Sequence, residues 1–385
     1  SPRPCPARQV KQWGLPIGPI SDTLTAEKSV NGRKMSNSDM QSGLLPSDLA
    51  ALPAQAEAVP WPVGRWPRGS LESLDVQATE KYLEQAFSLR AGEGITYGLV
   101  LIQRGQLVYE RYDHGANDSY LQYSWSMAKS VVHALVGLLV GDGKITVTQA
   151  IPVPEWQSPD DPRRLITWHD MLRMRDGLEF VEDYVDDGVS DVISMLFAQG
   201  RSDVGAYAAS RAAKYLPGDH FNYSSGTTNI ICRELARIIG DGPTGMLQFM
   251  EQRLFGPLGM RSPTPKFDAA GTFIGSSYLL ATPQDFAKFG LLYLRGGLWN
   301  GQQILPREWV DYARTPSYTD PEQGYGAHWW LYPQRPGWFY ASGYDGQRIL
   351  LVPEKDLVVV RCGRTDADHA PAIWANVDRL VDTLA

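Results

Sequence analysis

The chain is poor in cysteine, in basic clusters and in long apolar runs, and each shortage removes a class of function. Only three cysteines, Cys5, Cys232 and Cys362, occur in 385 residues. Their number is odd and no pair has C-x-x-C spacing, which argues against a disulfide framework and a zinc site. Cys232 and Cys362 sit among apolar residues and read as buried packing thiols. The six histidines, His114, His133, His169, His220, His328 and His369, show no His-Glu-x-x-His spacing. The Asp-x-Asp-x-Asp-Gly calcium pattern is missing as well, so neither a metal nor a cofactor is expected. Net charge is −7 with no block of Lys or Arg, which gives no support for nucleic acid or an anionic membrane as partner. No apolar run approaches the about 18 residues of a membrane-spanning helix. The opening Ser-Pro-Arg-Pro-Cys-Pro has no apolar signal-peptide core, and the missing initiator Met is read as removal of an upstream segment. The compartment stays open between cytoplasm and periplasm.

What is present is ordinary globular material, 43% hydrophobic and 21% charged, in a chain longer than one core usually organises. Residues 1–70, rich in Pro, Ser, Gly and Ala, read as an extended arm. A helix is expected around Ser73–Leu89, then a hairpin from Tyr97 to Tyr112 turning at Arg104-Gly105. From 141 to 270 the pattern is helical. Helices are expected at Trp168–Arg175, Asp191–Phe197 and Val204–Ala213, at Thr228–Gly240 capped by Ser225 or Thr227, and at Thr244–Leu254. Beyond 271 come a capped helix at Thr282–Leu294, strands at Gly326–Tyr332, Arg348–Val352 and Leu357–Cys362, and a closing helix at Pro371–Leu384. This order predicts an α+β fold of α/β/α sandwich type. One antiparallel sheet is built from both chain ends (71–140 and 271–385), flanked by helices, with an all-helical subdomain (141–270) inserted.

Ser126-Met127-Ala128-Lys129 is the only Ser-x-x-Lys in the chain. Residues three apart share a helix face, so Lys129 can reach the Ser126 hydroxyl. The residues that follow, Val131 to Val140, are apolar nearly all round, which predicts a buried helix with Ser126 at its N-terminus, where negative charge is favoured. The tetrapeptide alone is weak evidence, since average usage supplies about one copy by chance and a Ser at a helix start is commonly a plain cap.

Two further motifs give it weight. Tyr223-Ser224-Ser225 precedes a helix, and Ala341-Ser342-Gly343-Tyr344-Asp345-Gly346 lies by the C-terminal strands. In this order the three motifs resemble those of the serine β-lactamase and penicillin-binding superfamily, over roughly residues 70–385. The Tyr form of the second motif is similar to the class C-like branch, with family VIII carboxylesterases and 6-aminohexanoate-dimer hydrolases among its members. Ser225 stands where lactam-handling members carry Asn, and Ala341 where they carry the Lys that helps hold a penicillin carboxylate. The resemblance therefore points away from β-lactams.

The resemblance implies a β-lactamase-like fold, Ser126 as nucleophile, Lys129 and Tyr223 as its catalytic partners, and an oxyanion hole from the Ser126 and Tyr344 N–H groups. It also implies that Glu182, Asp183 and Tyr184 form a loop contacting a substrate amine. Ser225, Ser342, Gly343 and Asp345 complete the expected substrate-binding set, Asp345 standing where a His is usual. A Lys129 cation beside the phenol should lower its pKa and make Tyr223 the general base; a desolvated neutral Lys129 is the other assignment. The expected activity is hydrolysis of an amide or peptide bond in amino-acid oligomers or linear peptides through an acyl-Ser126 intermediate. A carboxylesterase or acyltransferase is the alternative, and a non-catalytic scaffold is the reading from another class. The expected partners are a small-molecule or peptide substrate and, as a candidate, a second copy of the chain. Trp329, Trp330, Trp338, Phe339 and Tyr340 read as wall and core, and His133 as a core residue.

Overall fold

The computed structural model describes residues 49–88, 94–184, 190–317 and 324–385. Most of the expected arm, residues 1–48 with Cys5, lies outside them. Of its remainder, Trp66 is buried, and Trp61 packs on Trp299 with ring centroids 5.2 Å apart.

After helix α1 (Val76–Gln85), capped by Asp75, the chain makes strands β1 (Ile95–Gln103) and β2 (Gln106–Tyr112). Their turn is Arg104-Gly105, with φ of 51° and 76°. Two successive positive φ values match the twist of an antiparallel pair, so the short link sets the register. The other strands come from the far end: β3 (Trp330–Leu331), β4 (Phe339–Gly343), β5 (Gln347–Val352) and β6 (Leu357–Arg364). The sheet order is β2-β1-β6-β5-β4-β3, antiparallel throughout. The two ends of the chain meet at its centre, Val100 opposite Val360.

Both sheet faces are covered, which is why β1 and β6 read as unbroken apolar runs rather than alternating ones. Val100, Ile102, Ile349, Leu351, Val358 and Val360 face the main core with α2 (Met127–Gly141) and α8 (Pro283–Leu294). Leu99, Leu101, Leu350, Val352 and Val359 face α1 and α10 (Ala370–Asp382). That is the three-layer arrangement expected.

Between α2 and α8 lie α3 (Trp168–Leu172), α4 (Asp191–Phe197), α5 (Val204–Ala209), α6 (Ser225–Ile239) and α7 (Gly242–Met250), with α9 (Arg307–Ala313) following α8. Several expected elements differ in extent: the helix expected at Trp168–Arg175 ends at Leu172, and the one around Ser73–Leu89 spans Val76–Gln85. α6 starts earlier because Ser224, not Ser225 or Thr227, accepts the capping bond from Thr227 N. The Val204 helix ends at Ala209, beyond which Ala213 bridges to Leu178. The strand expected at Gly326–Tyr332 shrinks to two residues because His328 is left-handed, φ 54°, and Gly326 N bonds back to Trp329 O. Cys232 and Cys362 are buried free thiols. Among the described residues no helix is long and apolar enough to cross a membrane.

Candidate active site

α2 is buried along almost its whole length and packs against β4 and α6. Ser126 occupies the cap position but its side chain makes no capping bond. The hydroxyl is therefore not spent on the helix end. The residue before it, Trp125, is left-handed at φ 43°. Such a conformation costs on the order of 1–3 kcal/mol for a non-glycine residue and persists only where neighbours fix it. Here the neighbours are explicit. Ser124 N donates to Leu279 O (2.8 Å), Leu279 N donates to Ser124 Oγ (3.2 Å), and Ser124 Oγ donates to Trp125 O (2.9 Å).

Lys129 is 2% exposed, and its Nζ lies 3.0 Å from each of three oxygens: Ser126 Oγ, Ser225 Oγ and Ser276 O. Ser225 opens α6, and Asn229, one turn later, holds the Ser276 segment by accepting from Ser276 N at 3.2 Å. One helix face thus sets two of the three oxygens. Behind Ser225 stands Glu182, with Oε2 accepting from Ser225 N (2.7 Å) and Oε1 from Ser225 Oγ (2.5 Å). The result is a relay from Glu182 through Ser225 and Lys129 to Ser126.

The three oxygens around Nζ have different capacities. As an ammonium, Lys129 donates to all three. As a neutral amine it has two N–H donors and one lone pair, so one contact must reverse. Ser276 O can only accept, and the Ser225 hydroxyl proton is committed to Glu182. The reversal falls on Ser126, whose O–H then points at the amine. Burial lowers the Lys129 pKa to about 8, against the Coulombic pull of Glu182.

Tyr223 lies beside the pair, its ring 4.8 Å from Lys129 Nζ and its hydroxyl hydrogen-bonded to Ser126. The sequence expectation of a lowered phenol pKa is overturned. Burial, with Glu182 adding to it, holds Tyr223 well above the usual phenol range. The ammonium charge needed to lower it is itself disfavoured by the same burial.

Among the expected substrate-binding residues, several have other duties. The Glu182 carboxylate is committed to Ser225 rather than open to a substrate amine. Burial raises its pKa, against Lys129 and the Ser225 contacts. Asp345 accepts a hydrogen bond from the Trp125 side chain, so it braces the segment that leads into Ser126. Ser342 falls, by the strand pleat, on the face of β4 opposite to Ala341, which packs in the core with α2. Tyr344 is not on the strand but opens a single turn after it, Tyr344–Gly346, in which Asp345 is left-handed (φ 62°). Gly343 suits its place because a Cβ there would meet Ser124 O at 2.3 Å. The strand end can therefore lie directly against the Ser126 segment. Tyr184 stacks near Tyr344, with centroids 5.3 Å apart, and Ser190 Oγ donates to Asp183 O. The rest of the expected acidic loop, 185–187, lies outside the described residues.

Sequence reasoning missed three contributors. Trp125, Tyr123 and Tyr278 form an aromatic rim with Tyr344, at centroid distances of 5.7–6.4 Å. Tyr123-Ser-Trp125, directly before the motif, was the available signal. Arg361 anchors the 344–346 turn by donating to Asp345 O (2.9 Å), Gly346 O (3.1 Å), Ile95 O (2.9 Å) and Thr365 Oγ (2.7 Å). Its signal was a lone cation in an apolar strand. Ser276, acting through its carbonyl, left no signal at all. His133 is a core residue as expected, stacked 4.6 Å from Trp309 and hydrogen-bonded to Tyr293 OH at 2.7 Å. Trp329 is core, whereas Trp330 packs 5.2 Å from Tyr223 and forms wall.

The sequence matches the Beta-lactamase family over residues 89–377. It is 26% identical, over 75% of its length and 76% of the relative's, to a 6-aminohexanoate-dimer hydrolase from Paenarthrobacter ureafaciens. Its fold resembles that of a Bacillus anthracis protein provisionally named 6-aminohexanoate-dimer hydrolase, with a TM-score of 0.68 and 20% identity over 91% of this chain and 96% of that one. It also resembles a penicillin-binding protein homologue from Caulobacter crescentus, with a TM-score of 0.61 and 16% identity over 82% and 99%. At these identities the two structural likenesses speak for fold alone.

Proposed function

The chain belongs to the Beta-lactamase family of serine hydrolases, and from that premise we propose that it cleaves an amide or peptide bond in amino-acid oligomers or linear peptides through an ester on Ser126. The observation that carries this reading is the Ser126 hydroxyl, withheld from capping and set 3.0 Å from a buried amine.

Neutral Lys129 accepts the Ser126 proton as Oγ bonds to the substrate carbonyl carbon. Its N–H bonds to Ser225 and Ser276 aim the lone pair, and Glu182, one hydroxyl away, offsets the charge that forms on Nζ. The carbonyl oxygen becomes an oxyanion between the N–H groups of Ser126 and Tyr344. When the carbon–nitrogen bond breaks, the leaving nitrogen takes the phenol proton of Tyr223. The Lys129 ammonium returns a proton to the phenolate, and the amine product leaves. Water then attacks the ester carbonyl, giving one proton to Lys129, and Ser126 regains its hydrogen as the acid product departs. A phenol held above its usual range suits the acid role rather than that of resting base.

Two features support an amide of an apolar or amino-acid substrate. The aromatic rim offers flat apolar surface to the acyl or amine chain. Ala341 leaves the third motif without the cation a penicillin carboxylate would use. A relative 26% identical over 75% of this chain carries a 6-aminohexanoate-dimer hydrolase name, which favours the same bond class.

The test is a panel of ω-amino-acid oligomers, D- and L-amino-acid amides, short peptides and p-nitrophenyl esters, run alongside fluorophosphonate labelling read by mass spectrometry. Amide turnover with the label on Ser126, both lost in Ser126→Ala, is expected. Ester turnover without any amide cleavage would replace this reading by the carboxylesterase one. Absence of both label and turnover would leave a scaffold.

A further inference from the structure

A cavity of about 700 Å³ lies between the outer face of β3–β5 and α10, and shares Trp330, Gly343 and Tyr344 with the border of the candidate active site. None of Ser126, Lys129, Tyr223 or Ser225 lines it. Alternate residues of adjacent strands, Tyr340 on β4 and Arg348 on β5, project into it, and Trp374 and Asp378 enter one turn apart on α10.

The Arg348 guanidinium lies 3.7 Å from the Trp374 ring centroid and 4.1 Å from that of Tyr340. Stacking on rings occupies the faces of a guanidinium and leaves its N–H edge to find partners. On that edge Nε is buried with no hydrogen-bond partner among the described residues. Asp378 shows the complementary lack. Its Oδ2 accepts from Tyr332 OH, while Oδ1 is buried without a partner. A buried donor or acceptor left unpaired is destabilising. Here a donor and an acceptor of opposite charge face the same cavity, near enough to feel each other's charge but joined by no direct hydrogen bond.

We infer that this cavity binds a small zwitterion of amino-acid type, its carboxylate on the Arg348 edge and its ammonium on Asp378 Oδ1. Nε–H and the neighbouring Nη–H form a side-on fork that matches the two oxygens of one carboxylate. The apolar stem between the charges would lie along Trp374 and Tyr340. The inference does not rest on the Ser126 reaction, and it is tested in a chain that cannot turn over. Ser342 and the 344–346 turn form part of the lining, so the occupant would sit behind the strand end that borders the catalytic cleft.

The test is calorimetric titration of the Ser126→Ala chain with glycine, 4-aminobutyrate, 6-aminohexanoate and 8-aminooctanoate, and with acetate, inorganic phosphate and butylamine as single-charge arms. One spacing of amino acid is expected to bind at least tenfold tighter than acetate, phosphate or butylamine. Arg348→Gln and Asp378→Asn, each added to Ser126→Ala, should each raise its Kd about tenfold to a hundredfold. The conservative Asp378 change keeps the test open if the Arg348 variant folds poorly. Equal binding of acetate or phosphate, unchanged binding in Asp378→Asn, or no binding of any amino acid would each overturn the proposal.

Discussion

Two lysines are buried in this molecule, and they are held in opposite ways. Lys288 on α8 is 5% exposed and Lys129 on α2 is 2% exposed. Lys288 Nζ contacts the Asp285 carboxylate at 3.2 Å and Gly259 O at 2.6 Å, and Asp285 also accepts from Arg261 N, Ser262 N and Ser262 Oγ. Its charge is met by a direct counter-charge inside a closed set of hydrogen bonds. Lys129 touches only neutral oxygens, and its carboxylate stands one hydroxyl further away. Direct pairing sets a counter-charge in contact with the amine, whereas pairing through a hydroxyl holds the counter-charge one group further off. Residue type and burial are the same; the single interposed Ser225 makes the difference.

That contrast can be broken by experiment. Lys129→Met should lower kcat by about 10²–10⁴-fold, the range for a positioned proton acceptor, with thermal unfolding little changed; a variant of near-native kcat would remove Lys129 from the chemistry. Tyr223→Phe should cost about 10²-fold or more in amide turnover. The loss should be smaller for esters of acidic phenols, whose leaving oxygen needs no proton. A uniform loss across leaving groups would argue against the acid role. Lys288→Met should do the reverse of Lys129→Met. It strands Asp285 and should cost about 3–5 kcal/mol in denaturant unfolding, with kcat per folded molecule nearly unchanged. The smallest effect sharpens the comparison most. Lys129 must be neutral to accept a proton, so kcat/KM should rise as pH climbs through about 8. Glu182 raises that pKa, so Glu182→Gln should move the rising limb to lower pH. A limb that stays in place would mean Glu182 acts only through Ser225 geometry.

The parts of this site that sequence revealed were those set by local spacing. Ser126 and Lys129 meet because three residues make most of a helical turn, and Arg104-Gly105 turns because its neighbours alternate around it. The α8 helix begins after Thr282 because a hydroxyl three residues ahead of Asp285 N is a cap in any context. What escaped was tertiary. Whether Tyr223 is acid or base depends on how much water the folded cleft admits, which no spacing encodes. Glu182 read as a contact for a substrate amine because its partner, Ser225, is 43 residues away. Arg361 passed unremarked within its strand because its hydrogen-bond partners are mostly backbone carbonyls, which every residue type supplies.

The pairing of β1 with β6 also decides when the enzyme comes into being. A ribosome delivers β1 long before β6, so the centre of the sheet stays open while everything between them is made. Until Val360 arrives opposite Val100, the anchors of the 344–346 turn at Ile95 and Thr96 have nothing to hold. A nascent chain stalled short of its last strands carries Ser126 and Lys129 but no finished cleft. It would instead present β1 as a bare apolar edge, a target for chaperones and for other unfinished copies.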